Sequence, residues 1–295
     1  MRVRRRRTVA LALGAILVLA LVVVLLPGSH RDGAASGARV PAAGGPTPAR
    51  VKTPTAQEQQ EREYQHEDDQ DAAVAAVRAY TPFFTEGGRR GHDIALTFDD
   101  GPGPYTPGVL SVLERYRVHA TFFEIGAMLQ WFSASTVRAL HDGDVIGDHT
   151  ETHPEMALLS AREQHEQLRE QMARIELAGG PRPVLFRPPY GSYDATTMRE
   201  LRKLHLLMVL WSDDTEDYKQ PGVSAIVQRV LAGAHPGAII LLHDAGGTRT
   251  QEIQALPTII RDLRARGYRL VTVPQLLEDD PPPPGQTLPS SLAGD

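Results

Sequence analysis

Short apolar runs alternate with amphipathic stretches between about residues 93 and 277. The runs are bounded by turn residues, which is typical of β-strands. The predicted strands are, in chain order, IALTF, ATFFEI, DVIG, VLF, LLMVLW, AIILLH and YRLVTV. The predicted helices are PGVLSVLERY, a stretch that begins at Ser160, ATTMRELRKL and QEIQALPTIIRDLRARG. Glu163 follows Ser160 by three residues, which is the pattern of a capping box, and Gly267 is expected to end the last helix.

Runs such as AIILL are too continuous for a sheet with one solvent-exposed face, which indicates a mainly parallel α/β domain. About seven parallel strands alternating with helices favour a barrel over an open sheet, although periodicity alone does not prove closure. In such barrels the chemistry sits at the carboxyl ends of the strands. Polar residues that directly follow the apolar runs are therefore the candidates for a functional site.

The N-terminus carries a different pattern, because MRVRRRR is followed by an uncharged apolar run from Thr8 to Leu26. Such a run is about as long as a membrane-spanning helix requires. It is longer than the apolar region of most signal peptides and no small-residue cleavage site follows closely, so we expect a signal anchor rather than a cleaved signal peptide. In either case the arginines stay in the cytoplasm and the rest is exported, membrane-anchored or secreted.

The composition changes again outside the alternating pattern, which divides the chain into five predicted segments. Residues 1–26 are the arginine cluster and anchor, and residues 27–55, mostly Gly, Ala, Pro and Arg, predict a disordered linker. Residues 56–90 are charged and then alanine-rich, which predicts a helical flank that is either a stalk or the edge of the domain. Residues 91–278 form the predicted functional domain, and residues 279–295 a Pro-rich disordered tail.

Composition and charge exclude several kinds of function. A hydrophobic content of 41% and a charged content of 23% are ordinary for a globular protein. The net charge of −5 and the lack of a basic patch interleaved with aromatic residues argue against nucleic-acid binding. Because the chain has no cysteine, disulfides, thiolate metal sites and cysteine nucleophiles are excluded. The sequence leaves the oligomeric state open.

A polar cluster follows each of five predicted strands. The clusters are Asp99 with Asp100, His149 with His153, Arg187 with Tyr190, Asp214 with Asp217, and His243 with Asp244. A lone aspartate at a strand end is usually a turn residue or a helix cap. Five clusters, each at the carboxyl end of a predicted strand, instead predict one shared site.

The histidine spacing is suited to a metal ion. Two histidines four residues apart can bind one ion, because a helical or tight-turn backbone places both on the same side. Two histidines and one carboxylate leave open positions for water, as a hydrolytic metal site requires. His149 and His153 have this spacing, although such a pair in a chain with eleven histidines is weak evidence alone.

The motifs TFDDGP, HTETHP, RPPYGS, DTEDY and LLHD, in this order, resemble the five motifs of the polysaccharide deacetylases with a NodB-homology domain, carbohydrate esterase family four. The flanking ATFFEIG is similar to that family too. The resemblance covers roughly residues 91 to 277. It implies a distorted (β/α) barrel and a divalent metal ion, usually Zn²⁺, with Co²⁺ or another divalent ion as alternatives.

The resemblance also implies roles for individual residues on the metal side of the site. The metal ligands would be Asp100, His149 and His153. Asp99 would be the general base that takes a proton from the attacking water, and Arg187 would pair with Asp99 and fix its orientation. Amide hydrolysis at neutral pH needs such an activated water, which a metal ion and a base together supply.

On the side of the leaving group, the resemblance implies that His243 is the general acid and that Asp217 holds it. An amine is a poor leaving group unless it is protonated, and a nearby carboxylate raises the pKa of a histidine. The backbone N–H of Tyr190 would help to bind the oxyanion. The substrate pocket would be formed by Tyr218, Leu241 and Pro189.

One residue departs from the family pattern. The fourth motif of the family usually ends in Trp, and here it ends in Tyr218. Tyrosine keeps an aromatic wall but is smaller and adds a hydroxyl group, which bears on substrate fit more than on catalysis. Trp211 is expected to pack in the core or the barrel wall.

The resemblance therefore predicts hydrolysis of the N-acetyl group of an amino sugar in an extracellular polysaccharide. An anchor beside the membrane favours peptidoglycan N-acetylglucosamine over chitin, chitooligosaccharide or acetylated xylan. Two alternatives from other classes are a catalytically silent glycan-binding domain and a metal-dependent amidase acting on a non-sugar amide. The silent domain is disfavoured, because neither a ligand nor the base is missing from the five motifs.

Overall fold

The computed structural model describes residues 55–286, so the predicted anchor, nearly all of the predicted linker and the end of the tail lie outside the described residues. The helices are α1 (Ala56–Tyr80), α2 (Thr106–Tyr116), α3 (Leu129–Asp142), α4 (Ala161–Leu177), α5 (Ala195–Leu204), α6 (Val223–Gly233), α7 (Thr250–Ala265) and α8 (Val273–Asp279). The strands are β1 (Phe83–Phe84), β2 (Asp93–Asp99), β3 (Thr121–Glu124), β4 (Val145–Asp148), β5 (Leu185–Phe186), β6 (Leu207–Val209), β7 (Asp213–Asp214), β8 (Ile239–His243) and β9 (Arg269–Val271).

All strand pairs in this part of the chain are parallel, in the order β1-β6-β5-β4-β3-β2-β8-β7, with β9 pairing β2. The two end strands, β1 and β7, do not pair with each other among the described strands, so the barrel is incomplete. The predicted distorted (β/α) barrel is confirmed. Each of the seven predicted runs contains a strand, whereas β1 and β7, with two residues each, are too short to produce a hydrophobic pattern.

Strand β2 is the centre of the sheet. One edge pairs with β8 over residues 95–99, and the other edge is shared by β9 at residues 93–95 and β3 at residues 97–99. All of its residues are buried, which explains why it lacks the alternation of a half-exposed strand. Because Asp99 lies in register with His243, the carboxyl ends of β2 and β8 bring these two residues together.

Local sequence signals set the ends of two predicted helices. The Ser160 hydroxyl accepts a hydrogen bond from the Glu163 N–H, and the Ser160 N–H donates to the Glu163 carboxylate, so the predicted capping box is present. Helix α7 ends at Ala265, and Gly267 follows with a φ of +86°, a left-handed conformation that glycine adopts without steric cost.

The N-terminal flank packs against the barrel. Val74 and Val77 of α1 are buried with Phe84 of β1 in the same apolar cluster as Ala95 of β2 and Leu276 of α8. Of the two alternatives left open by the sequence, this part of the flank is the edge of the domain and not a stalk. Within residues 55–286, no helix is long and apolar enough to cross a membrane.

The predicted disordered tail needs a correction, because Asp280, Pro282 and Gln286 are hydrogen-bonded to the domain. The Tyr80 hydroxyl donates to the carbonyl oxygen of Pro282 at 2.7 Å, and the backbone N–H of Thr85 donates to the Gln286 side chain at 2.7 Å. These contacts use backbone groups and single polar side chains. They therefore leave no periodic apolar signal in a Pro-rich sequence.

Asp280 fixes this segment to the start of the barrel. Its carboxylate is 4% exposed and accepts hydrogen bonds from the backbone N–H groups of Arg90 at 2.6 Å and Gly91 at 3.2 Å. The Arg90 guanidinium pairs with it at 2.7 Å, but that side chain is 81% exposed. The backbone acceptor role is therefore expected to matter more than the ion pair.

Replacing Asp280 with alanine should lower the free energy of unfolding by about 1–3 kcal/mol, because two N–H groups lose their partner. Arg90→Ala removes only the exposed half of the ion pair and should cost less than about 1 kcal/mol. Urea denaturation followed by circular dichroism measures both. Equal losses for the two variants would show that the ion pair, and not the backbone contacts, holds the segment.

Candidate active site

A cavity of about 460 Å³ opens at the carboxyl ends of the strands. The predicted site residues that line it are Asp99, Asp100, His149, His153, Tyr190, Tyr218, Leu241 and His243. Arg187 and Asp217 do not line it, because each is fully buried behind a residue that does. The structure thus brings at least one residue of each of the five sequence clusters to one opening. The cluster of Asp214 and Asp217 is represented there by Asp214.

One predicted pocket residue is corrected. Pro188, and not Pro189, lines the cavity. Pro189 begins a one-turn 3₁₀ helix that ends at Gly191, and its side chain is buried. The motif alone could not distinguish two adjacent prolines, because the direction of each ring depends on the turn that follows.

Three residues could hold a metal ion. Ligand atoms of Asp100, His149 and His153 all lie within 4.8 Å of one another. The Nε2 atom of His153 is 3.1 Å from Asp100 Oδ1, and the Nε2 atom of His149 is 3.6 Å from the same oxygen. Two imidazole nitrogens and one carboxylate oxygen, with further positions open, match the donor set of a catalytic zinc site.

Hydrogen bonds orient both histidines toward this point. His149 Nδ1 lies 2.8 Å from the carbonyl oxygen of Arg187, and because a carbonyl only accepts, Nδ1 must carry the proton. The lone pair of Nε2 is then free to bind a cation, as in most metal-bound histidines. His153 Nδ1 contacts the Tyr190 hydroxyl at 3.1 Å.

The backbone at Asp100 places its carboxylate beside that of Asp99. Neighbouring side chains of an extended strand point to opposite faces, but Asp100 has a φ of +72°, which departs from the extended conformation. Burial raises the pKa of Asp100, but the imidazoles of His149 and His153 beside it outweigh burial and hold the pKa well below its usual range. Asp100 is therefore ionised, as a metal ligand must be.

Asp99 is held by a buried cation. Its Oδ1 accepts a hydrogen bond from Arg187 Nη1 at 2.8 Å, and its Oδ2 lies 3.8 Å from His149 Nε2. Arg187 is fully buried, and its guanidinium lies 4.2 Å from the ring centroid of Phe123. One carboxylate oxygen is thus fixed by the arginine while the other remains at the metal side of the cavity.

His243 is paired with Asp217. The Nδ1 atom of His243 lies 2.7 Å from Asp217 Oδ1, and its backbone N–H donates to Oδ2 at 2.8 Å. Burial lowers the pKa of His243, but the charge of Asp217, with smaller contributions from Asp100 and Asp99, raises it to about 9. The imidazole is therefore protonated at neutral pH, and Nε2 is its available donor.

Several residues of the cavity were not predicted as site residues. Trp211 was expected to pack, and it does contact the apolar clusters, but it also lines the cavity. Ile125, Gly246 and Arg249 line it too. Ile125 lies in the flanking ATFFEIG, to which no role was assigned, and Trp211 and Gly246 each stand within three residues of a motif.

Gly246 has a steric role beside Asp100. Its φ is +71°, and a Cβ atom there would lie 2.2 Å from Asp100 Oδ2. Any side chain at this position must therefore displace the carboxylate. Gly267 offers a matched comparison, because its φ is +86° and a Cβ there would meet no atom within 4 Å.

Gly246→Ala should weaken Zn²⁺ binding about 10- to 100-fold, the usual effect of disturbing a residue that positions a ligand. Gly267→Ala imposes the same left-handed strain, about 1 kcal/mol, and should leave Zn²⁺ affinity unchanged. Calorimetric titration of chelator-treated protein measures the affinity, and thermal unfolding measures the strain. A Gly246→Ala protein that binds Zn²⁺ as tightly as wild type would remove Asp100 from the ligand set.

Comparison with known proteins identifies the domain. Residues 86–209 match the polysaccharide deacetylase family. The chain is 39% identical over 190 residues to a peptidoglycan-N-acetylglucosamine deacetylase of Bacillus cereus, a match that covers 62% of this chain and 87% of that protein. It is 41% identical over 187 residues to the peptidoglycan-N-acetylmuramic acid deacetylase PdaC of Bacillus subtilis, covering 63% of this chain but only 38% of that longer protein.

The fold is shared with solved members of the same group. The crystal structure of the Bc1960 peptidoglycan N-acetylglucosamine deacetylase, bound to 4-naphthalen-1-yl-N-oxidanyl-benzamide, matches with a TM-score of 0.65 and 33% identity. The match covers 68% of this chain and 94% of that one. The resemblance carried by the five motifs is confirmed, and the chain belongs to the polysaccharide deacetylase family, hydrolases that act on the amide C–N bond of acetylated sugars.

Proposed function

We propose that this protein removes the N-acetyl group from N-acetylglucosamine in peptidoglycan, outside the cell, with a divalent metal ion that is Zn²⁺. The observation that carries the proposal is the cavity itself. It combines a metal-ligand triad, a carboxylate held by a buried arginine, and a histidine held by a buried carboxylate. Together these elements supply the activated water, the general base and the general acid that metal-assisted amide hydrolysis uses.

Asp99 acts as the general base. Arg187 fixes Oδ1, so Oδ2, which lies near His149, is the oxygen that accepts a proton from the attacking water. The metal ion held by Asp100, His149 and His153 would polarise the acetyl carbonyl and promote ionisation of the water. Because Asp99 is adjacent to Asp100, its Oδ2 lies beside the ligand triad without belonging to it.

His243 acts as the general acid. Its Nδ1 is engaged by Asp217, so Nε2 carries the proton that the leaving amine requires. The backbone N–H of Tyr190, in the loop after β5, is assigned to the developing oxyanion together with the metal ion. A φ of +58° at Tyr190 shows that this loop takes a left-handed turn beside the cavity.

The acetyl methyl group is assigned to Leu241 and Tyr218. Leu241 precedes His243 by two residues on β8, so both side chains face the same side of the strand. The Tyr218 ring contacts the His243 ring edge to face, with 5.4 Å between the centroids. Together they form an apolar wall next to the acid, where the acyl group of the substrate must lie.

Exposed apolar side chains in the segments that follow three neighbouring strands suit a polymeric substrate. Trp131, Leu158 and Tyr190 are 72%, 77% and 61% exposed. They belong to the segments that follow β3, β4 and β5, which are neighbours in the sheet. Exposed apolar side chains in adjacent segments offer a surface on which further sugar units of a glycan can pack. The names of the Bacillus relatives favour peptidoglycan as that glycan.

The location outside the cell rests on the N-terminal sequence. The arginine cluster and the apolar run Thr8–Leu26 support a membrane anchor with the catalytic domain outside, or secretion if the run is cleaved. A mature N-terminus beyond residue 30, determined by mass spectrometry of the exported protein, would contradict the anchor.

The proposed reaction is tested by acetate release from peptidoglycan and from N-acetylglucosamine oligomers. Wild type should release acetate, lose this activity with a chelator and regain it with Zn²⁺ or Co²⁺. Asp99→Asn should lower kcat about 10²- to 10⁴-fold, because the base is lost. Its Zn²⁺ affinity should change little, since Asp99 is not a ligand. A zinc-loaded wild type that releases no acetate from any glycan would refute the deacetylase, and an active Asp99→Asn would refute the base.

Asp217→Asn should move the alkaline limb of the kcat/KM profile to lower pH. Asp217 raises the pKa of His243, so without this charge the acid loses its proton earlier as pH rises. Asp213→Asn is the matched control, because it removes a nearby carboxylate that does not contact His243. An alkaline limb that is identical in wild type and Asp217→Asn would mean that His243 is not the acid.

A further inference from the structure

Asp214 lines the cavity, but the hydrolysis described above does not use it. It lies on β7 in register with Leu241 of β8, next to the wall assigned to the acyl group. Its Oδ1 accepts the backbone N–H of Glu216 at 2.8 Å, and its Oδ2 accepts the Tyr218 hydroxyl at 3.3 Å. A carboxylate and a phenol therefore form a polar pair within an otherwise apolar wall.

The direction of this hydrogen bond decides what the pair can recognise. Because Tyr218 gives its only hydroxyl proton to Asp214, the lone pairs of Oη remain as acceptors. Within residues 55–286, the Tyr218 hydroxyl has no hydrogen-bond partner besides Asp214. A ligand group that pairs with Oη must therefore be a hydrogen-bond donor.

The position of the acyl group follows from the proposed function, on which this inference rests. The carbonyl carbon must lie near Asp99 and the ligand triad, and the nitrogen must face His243. The remaining substituent of the carbonyl carbon then points to the wall that contains Leu241 and Tyr218. An acetyl group ends there in a methyl, which has no proton to donate to Tyr218 Oη.

We propose that this pocket also accepts a hydroxyacetyl group, so that the enzyme releases glycolate from N-glycolyl amino sugars. The added hydroxyl donates to Tyr218 Oη and satisfies an acceptor that an acetyl group leaves unpaired. The chemistry is unchanged: water adds to the carbonyl carbon, the C–N bond breaks, and one glycolate and one protonated amine form. A polar group left without a partner on substrate binding costs affinity, which favours the hydroxylated acyl group.

The test compares three acyl groups on one glucosamine oligomer. N-propionyl matches N-glycolyl in size but has a methyl where the glycolyl group has its hydroxyl. The comparison therefore distinguishes the effect of acyl-group size on cleavage from the effect of the hydrogen bond. Wild type should cleave N-glycolyl about tenfold faster in kcat/KM than N-propionyl, the discrimination of one hydrogen bond. N-acetyl is the reference for the proposed function. Release of free amine measures all three on the same scale.

Tyr218→Phe keeps the ring and removes only the acceptor. It should lower the ratio of N-glycolyl to N-propionyl cleavage about five- to tenfold. The ratio compares two substrates on one enzyme, so partial loss of folded protein does not affect it. Equal cleavage of the two substrates by wild type, or an unchanged ratio in Tyr218→Phe, would overturn the inference while acetate release still supports the deacetylase. Absence of acetate release would defeat the proposed function and this inference with it.

Discussion

The buried guanidinium of Arg187 is the interaction on which the site depends. It donates to Asp99 and to the Thr97 hydroxyl on β2, and to the carbonyl oxygens of Val209 and Leu210 at the end of β6. A cation without solvent is costly unless it is paired and its donors are satisfied. These acceptors meet that requirement only if the ends of both strands stay in place. The geometry of the catalytic carboxylate is therefore tied to the geometry of the barrel.

The backbone of the same residue orients the metal side. The Arg187 carbonyl oxygen accepts from His149 Nδ1, and the Arg187 N–H donates to the carbonyl oxygen of Asp148 at 2.9 Å. One position thus sets the direction of Asp99 through its side chain and of His149 through its carbonyl. Lysine could not take its place, because an ammonium group lacks the planar fork that reaches two strands at once.

The sequence alone predicts structural features that produce a repeating hydrophobic pattern or belong to a recognisable motif. Seven strands, the capping box at Ser160 and the lining position of most motif residues were visible as patterns. Residues that act through backbone conformation or close approach were not predicted. Gly246 matters because of its positive φ and its closeness to Asp100 Oδ2. Pro188 lines the cavity and Pro189 does not because of the turn that follows them. The contacts of Asp280, Pro282 and Gln286 were missed because hydrogen bonds that involve backbone groups leave no periodic signal.

Basic partners distinguish the carboxyl groups that face the cavity from the more deeply buried Glu124 and Asp244. Asp100 has two histidines beside it and is ionised, and Asp99 has Arg187. Among the described residues, Glu124 and Asp244 form no ion pair, and burial raises the pKa of Glu124 to about 8 and that of Asp244 to about 7. Asp244 accepts a hydrogen bond from the Thr106 hydroxyl, a neutral partner that does not require ionisation. Basic side chains thus lie beside the two adjacent aspartates of the cavity, where the metal ion and the attacking water would lie.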